Sequence, residues 1–253
     1  MSKDDDMNLV QHLSELRKRI MWSLIVLVLA VVGGLFAANP LLEYLKTTKP
    51  ASDITWNAFS PWDAIGIYMK FAFVIGLTIA LPFLLFQIWA FVKPGLRPEE
   101  QKATLRYIPG AVLLFLLGLA FAYFIIFPMA FSFTSNVTKQ LHLTETYGIS
   151  QYFSFMFNIL LPMALLFELP VLVMFLTKLR LLNPKRLRKL RRISYFILVV
   201  VATIVTPPDF ISDILVAIPL LLLYEVSVFL SSLVYRKQVE ADRKWEAEYG
   251  TVS

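Results

Sequence analysis

The chain contains no cysteine and only two histidines, His12 and His142, which lie far apart and outside the apolar runs. The first absence excludes disulfides, thiolate metal sites and a cysteine nucleophile. The second leaves no histidine cluster for a metal and no Ser-His-Asp triad. No cofactor is expected, and the chain does not read as an enzyme. Charge is also scarce. Only 17% of the residues are charged, against 58% hydrophobic and 14% aromatic, and the mean hydropathy is +0.67. A soluble chain is about a quarter charged. These values describe an all-α polytopic membrane protein, since helices satisfy their own backbone in lipid.

Six apolar runs follow one another, at about 20–38, 65–91, 108–131, 152–176, 193–205 and 214–234. A span needs about 20 residues to cross roughly 30 Å of hydrocarbon. The fifth run has only 13 residues and reaches about 20 Å as a helix, so the last two spans are expected to be short. Leu9, Leu13, Leu16 and Ile20 recur at helical spacing before the first run and predict an amphipathic surface helix. The first run exceeds a signal-peptide core and precedes five others, so it is read as a retained helix. Residues 39–63 form a polar, proline-punctuated loop. Its Leu41, Leu42 and Leu45 suggest a short amphipathic piece, and Trp56 and Trp62 suggest an interface belt. Residues 1–234 are read as one six-helix domain, and 235–253 as a polar tail, helical or disordered.

The cations choose the orientation. Twenty of the 24 lie in the N-terminal segment, the second-to-third and fourth-to-fifth connections and the tail; Lys46, Lys49, Lys70 and Lys139 are left for the other side. Both termini are therefore expected in the cytoplasm. The basic stretch 178–192 meets the same requirement, and no nucleic-acid partner is implied; membrane lipids are the surroundings.

Few acids enter the apolar runs. Glu168 sits mid-span between Pro162 and Pro170, which each free a backbone carbonyl. A carboxylate at that depth costs several kcal/mol without water or a partner. A wet or polar cavity is the favoured surrounding; a protonated acid hydrogen-bonded to a neighbouring helix is the alternative. Glu225 lies in the sixth run, and Asp209 and Asp213 lie at the fifth-to-sixth reversal, after Pro207-Pro208. Thr203 and Thr206, three apart, share a helix face leading to that corner; back-bonding to their own helix explains them equally well. On the cytoplasmic side Glu15, Glu99 and Glu100 stand in a basic surface, by default as solvated charge.

Five segments then appear together: HLSELRKR from His12 to Arg19, FQIWAFVKPGL from Phe86 to Leu96, FAYFIIFPMAF from Phe121 to Phe131, Phe167-Glu168-Leu169-Pro170, and Thr206-Pro207-Pro208-Asp209. In order and spacing they resemble TatC, the receptor subunit of the twin-arginine protein translocase, over about residues 9–234. The resemblance implies six helices forming a concave cup in a bacterial cell membrane. It implies binding of twin-arginine signal peptides on folded cargo, a TatA-type single-span partner, further copies of the chain itself and drive by the proton-motive force. It places Glu15, Arg17, Phe91 and Glu100 at the signal-peptide site, with Glu99 able to share the role of Glu100. It makes Glu168 the concave-face acid and Thr203, Thr206 and Asp213 the partner-helix site, with Pro207, Pro208 and Asp209 as the turn. Some members carry Gln where this chain has Asp213. The competing class is a proton-coupled transporter of a small solute with Glu168 as its site; inverted repeats would support it, and none is found. An intramembrane hydrolase lacks a catalytic set.

Overall fold

Each apolar run becomes a helix because only intrahelical bonds satisfy the backbone in hydrocarbon. In this computed structural model the described residues are 3–95, 101, 105–206 and 210–249. They form α1 (Lys3–Thr47), α2 (Asp63–Val92), α3 (Tyr107–Phe121), a π-helical stretch (Ala122–Ile126), α4 (Phe127–Gln140), α5 (Ile149–Leu166), α6 (Leu169–Lys178), α7 (Pro184–Val205) and α8 (Phe210–Tyr249). Among the described residues no β-strand occurs, only an isolated bridge between Asn57 and Gly148. Among the described residues five stretches are long and apolar enough to cross a membrane: Leu13–Thr47, Asp63–Val92, Tyr107–Gln140, Ile149–Lys178 and Asp213–Arg243.

Several boundaries differ from the expectations. The surface helix, the first span and the leucine-rich piece are one 45-residue helix, α1, which continues through Pro40. The last two helices are not short. α7 has 22 residues because the basic segment from Pro184 is wound into it; only its apolar part is short, and it is not among the five. α8 has 40 residues because the tail continues the helix to Tyr249. The third run extends as helix to Gln140, with the π-helical stretch just before Pro128. Proline cannot donate to the turn before it and crowds the carbonyl four residues back, here Phe124, and the wider turn accommodates this.

The chain divides into two compact units, 1–112 with 144–157, and 113–143 with 158–253. In the first unit α1 packs along α2 at backbone distance. A Cβ on Gly34 would lie 2.5 Å from the Ala72 carbonyl oxygen, and one on Gly76 would lie 2.7 Å from Val31 Cα. Ala38 and Ala72 are fully buried beside them. The other face of α1 exposes Leu24, Ile25, Val28, Leu29, Val32 and Phe36, as hydrocarbon-facing residues require. Asp63 ties down the entry to α2: its Oδ2 accepts from the Phe59 and Ser60 N–H groups at 2.9 and 3.0 Å. Trp56 stacks on Phe153 and meets Tyr152 edge-on, and Phe71 packs against Phe153 and Phe157. Trp62, by contrast, is 74% exposed and suits an interface belt.

In the second unit α5 and α6 are separated at Phe167-Glu168, where one continuous span is expected from the sequence. Pro170 supplies no N–H to Leu166 and displaces its carbonyl, so the backbone closes a tighter bond, Glu168 N–H to Leu165 O at 3.1 Å. Pro162 stays inside α5. α6 ends with Arg180 at positive φ (61°) while the Leu181 N–H returns to Leu176 O and the Arg180 N–H to Thr177 O, a Schellman closure. α8 holds this end. Thr177 and Ser231 hydroxyls meet at 2.7 Å, Gln238 Nε2 donates to Lys178 O at 2.8 Å, and Arg180 pairs with Asp242 at 2.7 Å. The last two contacts explain why the polar tail is helical. α7 begins at Asn183, whose Oδ1 accepts from the Lys185 N–H at 2.9 Å. Glu225 of α8 receives Arg191 Nη2 at 2.6 Å and Tyr195 Oη at 2.5 Å, so this intramembrane acid is fully engaged in holding α7.

Candidate functional site

Three residues on two helices of the first unit form a polar constellation. On α1, Glu15 and Arg19 are one turn apart and therefore on one face. Arg19 donates Nη2 and Nε to Glu15 Oε1 at 2.5 and 3.1 Å. Its third nitrogen, Nη1, reaches Gln87 Oε1 on α2 at 3.2 Å. Both arginine contacts to the acid fall on one carboxylate oxygen. The side chains of Arg19 and Glu15 are 24% and 36% accessible, so the pair is partly desolvated and still open to solvent. Partial burial lets such a charged hydrogen bond count for more than a surface ion pair.

Phe91, half-buried, is one turn beyond Gln87 on α2 and so lies on the same helix face. Between them, Trp89 is buried and carries Lys93 over its ring at 5.5 Å. Gln101 Nε2 donates to Lys93 O at 3.2 Å. Arg17 is exposed on the turn between Glu15 and Arg19. Glu99 and Glu100 lie outside the described residues. The structure thus brings Glu15 to the end of α2 that bears Phe91, forms the Glu15–Arg19 pair that their spacing of four allows, and adds one residue that the sequence reading did not assign, Gln87. Gln87 stands out afterwards as the single amide in the apolar run from Ile65 to Val92.

In the second unit Glu168 occupies the break between α5 and α6. Its Oε1 is buried and has no hydrogen-bond partner among the described residues. Gly118 makes room for this break: a Cβ there would lie 2.8 Å from Ala164 Cα and 2.9 Å from Phe167 Cβ. At the end of α7, Thr206 is buried and donates to Asp213 Oδ1 at 2.7 Å, with Ala202 O also 2.9 Å from its hydroxyl. Thr203 is exposed, and its hydroxyl returns to Val199 O at 3.0 Å. The structure therefore brings Thr206 and Asp213 together, while the Thr203 hydroxyl is engaged by its own helix. Pro207, Pro208 and Asp209 lie outside the described residues.

Comparison with known proteins shows the family of the chain. Residues 11–219 match the family model described as Sec-independent protein translocase protein (TatC). The chain is 47% identical over 244 residues to the Sec-independent protein translocase protein TatC of Halalkalibacterium halodurans, covering 96% of each chain. It is 33% identical over 241 residues to TatC of Escherichia coli K12, covering 91% of this chain and 90% of that one. A crystal structure of the twin-arginine translocase receptor TatC superimposes with a TM-score of 0.73 at 33% identity, covering 88% of this chain and 99% of that chain. These likenesses support the translocase reading and not the small-solute transporter. With a family model over most of its length and relatives matched nearly end to end, the chain belongs to the TatC family: it is a multi-pass membrane protein of a protein-transport system, not an enzyme.

Proposed function

We propose that this chain is the receptor subunit that captures twin-arginine signal peptides of folded proteins and hands them to a TatA-type single-span partner for export driven by the proton-motive force. Residues 1–234 act as one membrane domain with cytoplasmic termini in a bacterial cell membrane, working with further copies of the chain. The cations support this orientation, because they crowd into alternate connections. Glu15, Glu99, Glu100, Arg17 and Phe91 receive the peptide. Glu168 is the acid facing the transport path. Thr203, Thr206 and Asp213 receive the partner helix, around the turn at Pro207, Pro208 and Asp209.

The observation that carries the reading is Glu15 itself. Its carboxylate already accepts two nitrogens of a guanidinium, at 2.5 and 3.1 Å, in a partly desolvated setting. Arginine presents a planar fork that a carboxylate matches, whereas lysine presents a point charge. A charged hydrogen bond of about 1.5–3 kcal/mol corresponds to roughly tenfold or more in affinity at 1.4 kcal/mol per decade.

The test is the affinity of the full chain for a twin-arginine peptide and a twin-lysine control. Glu15→Ala and Glu100→Ala each lose about tenfold for the arginine peptide, and Glu15→Lys abolishes transport while the protein remains in the membrane. Wild-type binding of both peptides by both alanine variants refutes the site. For topology, reporters fused within 93–107 and 178–192 read cytoplasm, and those within 39–63 and 132–151 read the outside. A cytoplasmic reading from either outer connection refutes the orientation.

A further inference from the structure

The contacts of Arg19 are uneven in a way that bears on recognition. Both nitrogens that face Glu15 use Oε1, and the remaining terminal nitrogen crosses to Gln87 on the neighbouring helix. Oε2 of Glu15 accepts no hydrogen bond among the described residues, and the side chain is 36% accessible. A carboxylate has about four acceptor positions, so a carboxylate braced through one oxygen keeps the other available. Without the brace, a glutamate on an exposed helix turn samples several rotamers, and binding costs the entropy of selecting one of them. Gln87 supplies what the i,i+4 pair lacks by itself. An ion pair within one helix is free to swing with that helix's surface, whereas a third contact on α2 anchors the guanidinium across the α1–α2 seam. That seam is tight, being closed by Gly34 against Ala72 and Gly76 against Val31.

We infer that Arg19 and Gln87 are positioning residues for signal-peptide recognition: they hold Glu15 by Oε1 so that Oε2 is presented to an arginine of the peptide. The inference rests on Glu15 being part of the peptide site. It assigns the preference for arginine to the fixed direction of Oε2, since a guanidinium fork gains from a fixed acceptor and an ammonium, with three rotatable donors, gains little. It also makes Arg19 a residue that stays in place when the peptide binds.

The experiment measures dissociation constants of twin-arginine and twin-lysine peptides for the full-length protein in membranes or detergent. The variants are Arg19→Lys, Gln87→Leu, Gln87→Glu, the Arg19→Lys/Gln87→Leu double variant and Glu15→Ala. Arg19→Lys keeps the charge but replaces three nitrogens in a fixed fork by one, and so holds Glu15 and Gln87 less firmly; it weakens the arginine peptide about five- to tenfold while the lysine peptide changes less than twofold, so the preference shrinks. Gln87→Leu does the same to a smaller degree, Gln87→Glu restores an acceptor and retains the preference, and the double variant is no worse than Arg19→Lys alone, because both act through one brace. Tighter binding of the arginine peptide by Arg19→Lys overturns the inference, since Arg19 is then a competitor to be displaced. An equal loss for both peptides also overturns it, since the role is then only structural. If Glu15→Ala binds both peptides as wild type does, the site reading fails and the brace with it. If Glu15→Ala loses the arginine peptide while the Arg19 and Gln87 variants keep the wild-type preference, the site reading stands and the brace alone falls.

Discussion

The two helix contacts that hold most of the chain together use opposite chemistry. α1 and α2 meet through glycine and alanine, backbone against backbone, with side-chain polar contacts placed away from that seam: the Glu15–Arg19–Gln87 group, and the Tyr68 hydroxyl donating to Asn39 Oδ1 at 2.7 Å. α8 holds α6 and α7 through hydroxyls, an amide and ions: Thr177 with Ser231, Gln238 with the Lys178 carbonyl, Arg180 with Asp242, and Arg191 and Tyr195 with Glu225. In lipid the hydrophobic effect does not drive helices together, so close packing and interhelical hydrogen bonds are the available means. The contrast also separates structural polar groups from candidate functional ones. Glu225 spends both oxygens on α7. Glu15 spends one, and Glu168 keeps a buried oxygen with no partner among the described residues. Acids with surplus acceptor capacity are those proposed to bind something else.

Breaking the glycine seam has the largest consequence for stability. Gly76→Leu drives a side chain into the Val31 backbone at 2.7 Å, and overpacking of this kind costs roughly 1–3 kcal/mol or more. The variant is expected to lose its folded form in detergent, read as a lower melting temperature and protease resistance. Gly33→Ala, which meets nothing within 4 Å, serves as the tolerated control. Equal stability of the two variants breaks the close-packing account.

The polar contact is weaker per pair. Thr177→Val removes a buried hydroxyl pair at 2.7 Å, and interhelical hydrogen bonds in membranes average about 0.6 kcal/mol with a maximum near 1.7. Ser231→Ala should cost a similar amount, and the double variant should cost clearly less than the sum in thermal unfolding. Strict additivity shows that the two hydroxyls do not interact.

Smaller still is the loss from Glu225→Gln, about 0–1 kcal/mol, because the pair is only partly buried, at 43% and 36% accessible, and the amide keeps an oxygen that can accept from Arg191. An unfolding shift larger than that of the Thr177 and Ser231 variants would reverse the ranking of buried hydroxyls over exposed ions.

The least effect on stability, with a large one on transport, is expected for Glu168→Gln. The buried oxygen has no hydrogen bond to lose, so the melting temperature stays within a degree or two while export of a twin-arginine cargo falls at least tenfold. A cysteine at 168 reacts with a water-soluble thiol reagent, and no native cysteine interferes. Full export by Glu168→Gln, with complete protection of the cysteine, sinks the transport role.

Much of this was legible in the residues. Apolar runs of sufficient length mark their helices wherever the backbone has no other way to satisfy itself, and the few acids stand out against so apolar a background. The proline effects were only half legible. Pro162 and Pro170 occupy the same apolar run, yet α5 continues through the first and ends before the second. The difference depends on neighbours, including Gly118, which lets Ala164 and Phe167 approach α3. The basic segment 185–192 reads as a loop by charge, but a capped helix start at Asn183 and buried Leu187 make it part of α7.

The sequence alone determined the membrane class, the apolar runs that become helices, and the presence of Glu15 and Glu168 as acids in a chain with little charge. Those properties are local: each depends on the composition of a segment about 20 residues long or on one residue against that background. Only the tertiary structure decided the partners. Arg19 and Gln87 are 68 residues apart, Arg191 and Glu225 are 34, and Lys178 and Gln238 are 60. No periodicity links such positions, because which donor faces which acceptor depends on how closely two helices approach and how each is rotated. The glycine seam sets that approach for α1 and α2. The Glu15–Arg19 contact is local, one helical turn on α1; it is packing that carries Arg19 on to Gln87.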